Sequence, residues 1–376
     1  MMIKILFNKY LLLSALLAVS CSSPEPQEVV KEPTPKNIIL LIGDGMGLSQ
    51  VSAAFYFQDG TPNFQRFETV GLINTSSSSH TITDSASGAT AFSAGVKTYN
   101  GAIGVNPDTT IQETILELAS EKGMMTGVIA TSSITHATPA SFYAHEKLRA
   151  MEDEIAAWIP KSGVDYFAGG GLKFFNKRKD GVDYIEKLKD NGFEIDTTGM
   201  SLGSSLSPDK KYGYLLAEKG MPKMSDGRGD FLPNATAQAL SYLSASEKGF
   251  FLMVEGSQID WGGHANDGDY VIQEMKDFDK TLGVALDFAE KDGNTIVIVT
   301  ADHETGGFTL SSTKETDEKG NTKSNYNKIT PTFSTGGHST TLIPVFAHGP
   351  YSSNFSGIYQ NTEIFHKMKP FVTGGE

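Results

Sequence analysis

The feature that most constrains the fold is a series of short apolar runs separated by helical patterns. Continuous apolar runs of five or six residues are typical of strands that are buried on both faces of a parallel sheet. Such runs occupy residues 37–42, 126–130, 250–254, 295–300 and 343–347. Amphipathic helical patterns occupy residues 110–121, 236–245 and 270–290. The alternation predicts an α/β fold with a mostly parallel central sheet and helices on both faces.

Residues of metal-binding type follow four of the five predicted strands. They are Asp44, His136, Thr138, Glu255, Asp302 and His303. In an open parallel sheet, ligands bind in the crevice outside the carboxyl ends of the strands. The sequence therefore predicts that these side chains meet at one edge of the sheet and form a polar site there.

Further carboxylates and histidines have spacings that suit metal binding. Asp260 and His264 are four residues apart, so they would face the same way on one helical turn, and carboxylate with imidazole suits zinc. Asp302 and His303 would bind one metal if the chain turns beside them, and His338 follows two glycines. The alternative for residues 260–264 is a capped helix with ordinary surface polar groups.

Asp44 lies in a glycine-rich segment, residues 43–47 (GDGMG). A dinucleotide-binding loop has similar glycine spacing, but it would not place a carboxylate at its tightest point against a pyrophosphate. Asp44 therefore fits a metal ligand better than a cofactor loop, with the glycines allowing a sharp turn.

Small side chains dominate residues 83–91 (TDSASGATA), as expected where a helix begins beneath a site. A hydroxyl at a helix N-terminus meets oriented N–H groups, which favour an anionic phosphoryl group. Thr83, Ser85 and Ser87 are candidate nucleophiles on this basis. Each of them also suits helix capping, and the residues themselves do not choose among the three.

The first 36 residues have the composition of an export signal and a tether. The apolar run at residues 10–19 is too short to span a membrane comfortably, and it leads into Cys21, the only cysteine. We expect residues 1–20 to be a lipoprotein-type signal peptide, Cys21 to carry lipid, and residues 21–36 to form a flexible tether. The alternative is an ordinary signal peptide whose cysteine lies there by chance. Residues 37–376 are then expected to form a single domain.

The chain carries a formal net charge of −13. This excess of negative charge argues against nucleic acid as a partner, because the protein would repel a polyanion. A small anion is still attracted to a locally cationic, metal-filled pocket. The export signal places the domain in the periplasm or at the cell surface, with membrane attachment only through the N-terminal lipid.

Several longer motifs occur together and in a fixed order. They are IGDGMG, TDSASGATAFSAGVKTYNGAIGV, THATPASFYAH, VEGSQIDWGGH, VTADHETGG and STGGH. In this combination the chain resembles the alkaline phosphatase family over nearly all residues from about 37 onward. The variant residues are similar to those of a compact marine and cold-active bacterial subgroup.

The resemblance implies a set of site residues and a metal content of two zinc ions and one magnesium ion. Ser85, which follows Asp84, would be the nucleophile, and Arg149 would bind phosphate. The implied ligands are Asp260, His264 and His338 for the first zinc, Asp44, Asp302 and His303 for the second, and Asp44, Thr138 and Glu255 for magnesium.

Two positions depart from the pattern of the enteric bacterial enzymes. His136 stands where those enzymes have aspartate, and Trp261 stands where they have lysine. Both departures occur elsewhere in the family. They leave the reaction unchanged but predict that the third site is less selective for magnesium and tolerates zinc.

The resemblance implies hydrolysis of small phosphate monoesters through a phosphoserine, and the family's usual homodimer. Two other enzyme classes share this metal architecture. A sulfatase would need a Cys or Ser followed by x-Pro-x-Arg, which is absent after Ser85, and a phosphodiesterase would usually lack Thr138 and Glu255. A lipoprotein that binds metal or phosphate without turnover is the remaining alternative.

Overall fold

The structure is a computed structural model that describes residues 34–203 and 205–374. The predicted signal peptide, Cys21 and most of the tether therefore lie outside the described residues. Within the described ranges, no helix combines the length and the apolar character needed to cross a lipid bilayer.

The five predicted strands are present, and the described residues form nine further strands. In chain order, the strands are β1 (Asn37–Gly43), β2 (Thr69–Asn74), β3 (Met125–Ser133), β4 (Tyr166–Gly170), β5 (Phe193–Asp196), β6 (Lys211–Leu215), β7 (Phe250–Gly256), β8 (Thr295–Thr300), β9 (Glu304–Thr305), β10 (Thr309–Thr316), β11 (Thr322–Thr332), β12 (His338–Ser339), β13 (Ile343–His348) and β14 (Gly357–Gln360).

Ten of these strands form one central sheet in the order β14-β2-β13-β8-β1-β7-β3-β4-β6-β5. All neighbouring pairs are parallel except those made by β13, which is antiparallel to β2 and β8. Every residue of β1, β7 and β8 is buried. Burial on both faces explains why these strands are continuously apolar rather than alternating.

Helices connect the strands and cover the sheet. They are α1 (Leu48–Phe57), α2 (Ser85–Ala94), α3 (Ile115–Glu121), α4 (Ala137–Ala140), α5 (Glu152–Ala156), α6 (Lys173–Asn176), α7 (Tyr184–Asp190), α8 (Phe231–Leu243), α9 (Gln258–His264), α10 (Gly268–Asp292) and α11 (Glu363–Thr373). Helices α1, α8 and α9 each contact α10, helices α3, α4 and α11 each contact α2, and both groups contact the central strands. The α/β fold with a mostly parallel sheet is confirmed.

Three details of the sequence prediction were wrong. The helix expected over residues 236–245 spans Phe231–Leu243, so it begins five residues earlier. The run at residues 343–347 was expected to be parallel like the others, but β13 is antiparallel, and a buried apolar run carries no information about strand direction. The helix expected to begin at residue 110 begins at Ile115, after a capping box in which Thr114 accepts from the Glu117 amide and Glu117 accepts from the Thr114 amide. Ile111, inside the predicted helix, instead pairs with Val105 in an antiparallel bridge.

Candidate metal centre and nucleophile

The four strands that precede the predicted ligands are adjacent at the centre of the sheet, in the order β8-β1-β7-β3. Glu255 in β7 lies opposite Ile42 of β1 and Ala130 of β3. Asp44 lies just beyond the carboxyl end of β1. This arrangement confirms the expected convergence at one edge of the sheet, because parallel strands in register bring the residues that follow them together.

The first cluster contains Asp260, His264 and His338, whose ligand atoms lie within 4.8 Å of one another. The Nδ1 atoms of the two histidines lie 2.8 Å from the carbonyl of Gly336 and 2.9 Å from the carbonyl of Thr83. Because a carbonyl only accepts, each Nδ1 is the donor and each Nε2 keeps a free lone pair. The two Nε2 atoms face each other at 3.1 Å, and Asp260 Oδ1 is 3.4 Å from His264. Lone pairs that converge in this way suit a shared cation.

The second cluster surrounds His303, which is fully buried. Its Nε2 lies 3.5 Å from Asp44 Oδ1 and 3.3 Å from Asp302 Oδ2. Ser85 Oγ lies 3.3 Å from the same nitrogen. The structure thus brings together the three predicted ligands of the second site and the predicted nucleophile. Asp260 is also within reach, since its carboxylate, Asp44 and His303 form a further group of ligand atoms within 4.8 Å.

Thr305 joins the first and second clusters, and the sequence analysis did not identify it. Its hydroxyl donates to Asp260 Oδ1 at 2.5 Å and lies 3.1 Å from His303 Nδ1. Because that hydroxyl proton goes to Asp260, His303 Nδ1 is the donor to Thr305, and His303 Nε2 carries the lone pair. One feature of the sequence could have identified Thr305. It is a polar residue two positions after His303, shortly after an apolar strand, where a side chain is expected to be buried near the site.

The third cluster contains Asp44, Glu255 and His136. Glu255 Oε2 accepts hydrogen bonds from Ser257 at 2.5 Å and Ser132 at 3.2 Å. Thr138 is fully buried at the start of α4, consistent with the expected ligand position. His136 was predicted beside this site, and the structure places one of its ring nitrogens within 4.8 Å of an oxygen of each carboxylate.

Six buried polar atoms of these clusters have no hydrogen-bond partner among the described residues. They are Asp44 Oδ1, Asp44 Oδ2, Asp302 Oδ2, Thr138 Oγ1, Glu255 Oε1 and His136 Nδ1. Unsatisfied buried oxygens are costly, and several oxygens at one place match the ligand preference of a hard divalent cation. The donor sets of all three clusters therefore fit metal ions.

The electrostatics of the clusters also favour cations. Burial, with the charges of Asp302 and Asp260, raises the pKa of Asp44 well above its ordinary value. Burial raises the pKa of Glu255 to about 7 and also raises the pKa of Asp302. Burial, with the neighbouring His338, lowers the pKa of His303 well below its ordinary value. Each shift favours the neutral form of the side chain when no cation is bound. Bound divalent cations would restore the ionised form of the three carboxylates.

Ser85 is the first residue of α2, and Asp84 is the N-cap. Asp84 Oδ1 accepts from the amides of Ser87 and Gly101, each at 3.1 Å. All ten residues of α2 are buried, and at Gly88 a Cβ atom would lie 2.9 Å from Asp302 Cβ. The small residues of this segment therefore let the helix approach the metal ligands closely, which positions Ser85 beside His303.

Arg149 lies at the mouth of the site, where its guanidinium group is partly exposed. Its Nη1 donates to Asp84 Oδ2 at 3.1 Å, and its Nη2 donates to His136 Nε2 at 3.3 Å. Burial and the charge of Arg149 lower the pKa of His136 to about 3, so the ring is neutral. Trp261 contacts His136 edge-on, with ring centroids 6.2 Å apart. Asp84 and His136 thus contact the arginine directly, and Trp261 contacts His136.

Comparisons with known proteins agree with this geometry. The sequence model of the alkaline phosphatase family matches residues 35–330. Alkaline phosphatase 3 of Bacillus subtilis is 36% identical over 408 aligned positions, which cover 88% of this chain and 87% of that protein. The solved structure of alkaline phosphatase from the Antarctic bacterium TAB5 is 56% identical with a TM-score of 0.88, covering 91% of this chain and 99% of that chain.

A variant of the TAB5 enzyme, in which a histidine is replaced by aspartate, has magnesium bound in its M3 site. That structure is 58% identical with a TM-score of 0.89, and it covers 91% of this chain and 99% of the other. The family match over most of the chain and the shared fold lead to one conclusion. This chain belongs to the alkaline phosphatase family, whose members are metal-dependent enzymes that hydrolyse phosphate monoesters.

Proposed function

We propose that this alkaline phosphatase uses Ser85 as its nucleophile, two zinc ions and one magnesium ion as cofactors, and Arg149 to bind the phosphoryl group. The observation that carries the proposal is the position of Ser85 Oγ. It lies 3.3 Å from His303 Nε2, at the start of a buried helix and beside two buried carboxylates. No other candidate hydroxyl of residues 83–87 has such a contact.

The metal ligands follow the three clusters. Asp260, His264 and His338 would hold the first zinc, and Asp44, Asp302 and His303 the second. Asp44, Thr138 and Glu255 would hold magnesium, with His136 beside them. Bound divalent cations would lower the pKa of the serine hydroxyl and stabilise charge on the attacking and leaving oxygens of an in-line displacement.

The chain's own groups orient the phosphoryl group. Arg149 presents a planar guanidinium that suits bidentate contact with two non-bridging oxygens. Asp84 holds this guanidinium at 3.1 Å and also caps the helix that carries Ser85. One carboxylate therefore fixes the relative positions of the nucleophile and the phosphate-binding arginine. Attack by Ser85 on phosphorus would break the P–O bond to the alcohol, which departs and leaves a phosphoserine. Water would then hydrolyse the phosphoserine, which frees Ser85 and releases phosphate.

The test uses Ser85→Ala with Ser87→Ala as the matched control, since Ser87 lies two residues along the same helix and is also buried. Ser85→Ala should lower turnover by about 100-fold or more, with a residual rate from the remaining site, while metal content is unchanged. Brief reaction with substrate at low pH should label a peptide of the wild type on Ser85. Phosphate found on Ser87 or Thr83 would contradict the assignment.

We also propose that the domain of residues 37–376 is exported and attached to a membrane through lipid on Cys21, and that it assembles as a homodimer. The sequence before residue 37 supports export and lipidation. The homodimer is proposed because dimers are usual in the family. Two or three acyl chains would anchor the protein stably where one would not. Wild type should sediment with membranes, and Cys21→Ser should not. A wild type recovered wholly in the soluble fraction would contradict lipidation.

A further inference from the structure

A cavity of about 310 Å³ adjoins the catalytic centre on the side of His136. Its walls include two aromatic side chains, Trp261 and Phe174, and two basic ones, Lys173 and Lys219. None of the roles described above uses the two lysines. We call the part of the cavity formed by Lys173 and Lys219 the lysine subsite.

The cavity is next to the place where the phosphoryl group would bind. His136 forms part of its wall and lies 3.3 Å from the guanidinium of Arg149. Trp261, on another wall, directly follows Asp260, a member of the first metal cluster. A substrate held by Arg149 and Ser85 therefore has this cavity beside it, and only the leaving alcohol remains to occupy it.

The wall that carries Lys219 is held in a defined position. Its neighbour Gly220 lies against the indole of Trp261, since a Cβ atom there would be 2.5 Å from the ring. The amide of Met221 donates to the carbonyl of Thr131 at 3.0 Å, and Gln258 Nε2 donates to the carbonyl of Met221 at 2.7 Å. The segment after β6 is thus tied to β3 and α9, which places Lys219 at a fixed edge of the cavity.

The two ammonium groups of the subsite are not neutralised by carboxylates of the described residues. Lys173 Nζ lies over the ring of Phe174, 4.3 Å from its centroid. By contrast, the nearby Lys177 pairs with Glu218 at 2.7 Å and is therefore already neutralised. The one carboxylate on the cavity wall, Glu152, accepts from the hydroxyls of Ser133 and Thr135.

We propose that the lysine subsite binds a second anionic group on the leaving alcohol of the substrate. The preferred substrates are then phosphate monoesters whose alcohol carries another phosphate, such as sugar bisphosphates. The reaction is unchanged: the P–O bond breaks, and the alcohol departs with its second phosphate intact. The proposal rests on the proposed function, because it requires the phosphoryl group to be held at Ser85 and Arg149.

The test compares the initial rates of two substrates that share one sugar, fructose 6-phosphate and fructose 1,6-bisphosphate. The variants are Lys173→Ala/Lys219→Ala and, as the matched control, Lys177→Ala. Contacts of a partly exposed ammonium with an anion are modest. We therefore expect kcat/KM of the double variant to fall about three- to tenfold for the bisphosphate and less than about twofold for the monophosphate. The loss should shrink at high salt, since screening shortens the range of surface charges to a few ångströms.

The outcomes separate this inference from the proposed function. Selective loss with the bisphosphate in the double variant, together with wild-type behaviour of Lys177→Ala, supports the subsite. Equal losses with both substrates, an equal loss in Lys177→Ala, or no loss at all would overturn it. Failure of the wild type to hydrolyse either substrate would instead overturn the proposed function. The nearly unchanged monophosphate rate of the double variant excludes a folding defect as the cause, and Lys219→Arg, which keeps the charge, should retain the bisphosphate rate.

Discussion

Replacing Thr305 by valine should weaken two metal sites at once. The hydroxyl of this fully buried residue donates to Asp260 Oδ1 at 2.5 Å and accepts from His303 Nδ1 at 3.1 Å. Valine preserves the branched shape but removes the hydroxyl. Asp260 then loses a charge-assisted hydrogen bond, and the ring of His303 loses the contact that fixes its tautomer and orientation.

The size of the effect follows from the two bonds. Leaving one buried donor or acceptor unsatisfied costs about 1–3 kcal/mol, and groups that orient metal ligands change metal affinity about 10–100-fold. We therefore expect zinc to bind Thr305→Val about 10–100-fold more weakly than wild type. At saturating zinc, kcat should recover most of the wild-type value, because Ser85 and Arg149 are untouched.

The assay is a zinc titration of metal-stripped protein against a competing chelator, followed by activity at each occupancy. Thr300→Val is the matched control. Thr300 is also fully buried, five residues earlier in the chain, and its hydroxyl donates to the carbonyl of Pro344 at 3.1 Å. Both variants lose a buried hydrogen bond, but only Thr305→Val loses contacts with the metal-binding clusters. Wild-type zinc affinity in Thr305→Val, or equal weakening in Thr300→Val, would refute the reasoning.

Two further predictions concern histidines. His136→Asp adds a carboxylate beside Asp44 and Glu255. Magnesium should therefore bind about 10–100-fold more tightly, and excess zinc should inhibit less. Superimposable magnesium titrations of the zinc-loaded wild type and variant would contradict this prediction. Burial alone would lower the pKa of His145, but hydrogen bonds to Glu117 (2.8 Å) and to a backbone carbonyl raise it above its ordinary value. The stabilisation is complete below about pH 6.5 and is lost as pH rises through the higher folded pKa, so the thermal midpoint of wild type should fall over that range while that of His145→Gln should not.

The sequence predicted the edge of the sheet at which the site forms, because the evidence for it is local. An apolar run such as residues 250–254 predicts a buried strand. If the neighbouring strands are parallel, Glu255 must lie at the edge of the sheet formed by their carboxyl ends. Strand direction is different. The run that became β13 is as apolar as the others, and its antiparallel course depends on the connections that lead to it.

The site was predictable where residues close in sequence act together, and less so where contacts cross the sheet. The spacing of Asp260 and His264 placed both on α9, as observed. The position of Asp260 between two clusters was not predictable, because it depends on Gly45. This glycine has φ of 74°, and a Cβ atom there would lie 2.8 Å from both the Asp260 backbone and the Thr305 hydroxyl. Only the folded chain shows that this close approach joins the clusters.

The metal centre and the stability of the fold depend on each other. Asp44, Glu255 and Asp302 are fully buried at the ends of the central strands that hold the core together, and Asp260 on α9 is nearly fully buried. Their mutual repulsion and burial raise the free energy of the metal-free native state. The chain has a single cysteine, so no disulfide within the chain offsets this cost. Cations that bind the native state stabilise it by mass action, and the same carboxylates that position the nucleophile therefore make folding depend on metal.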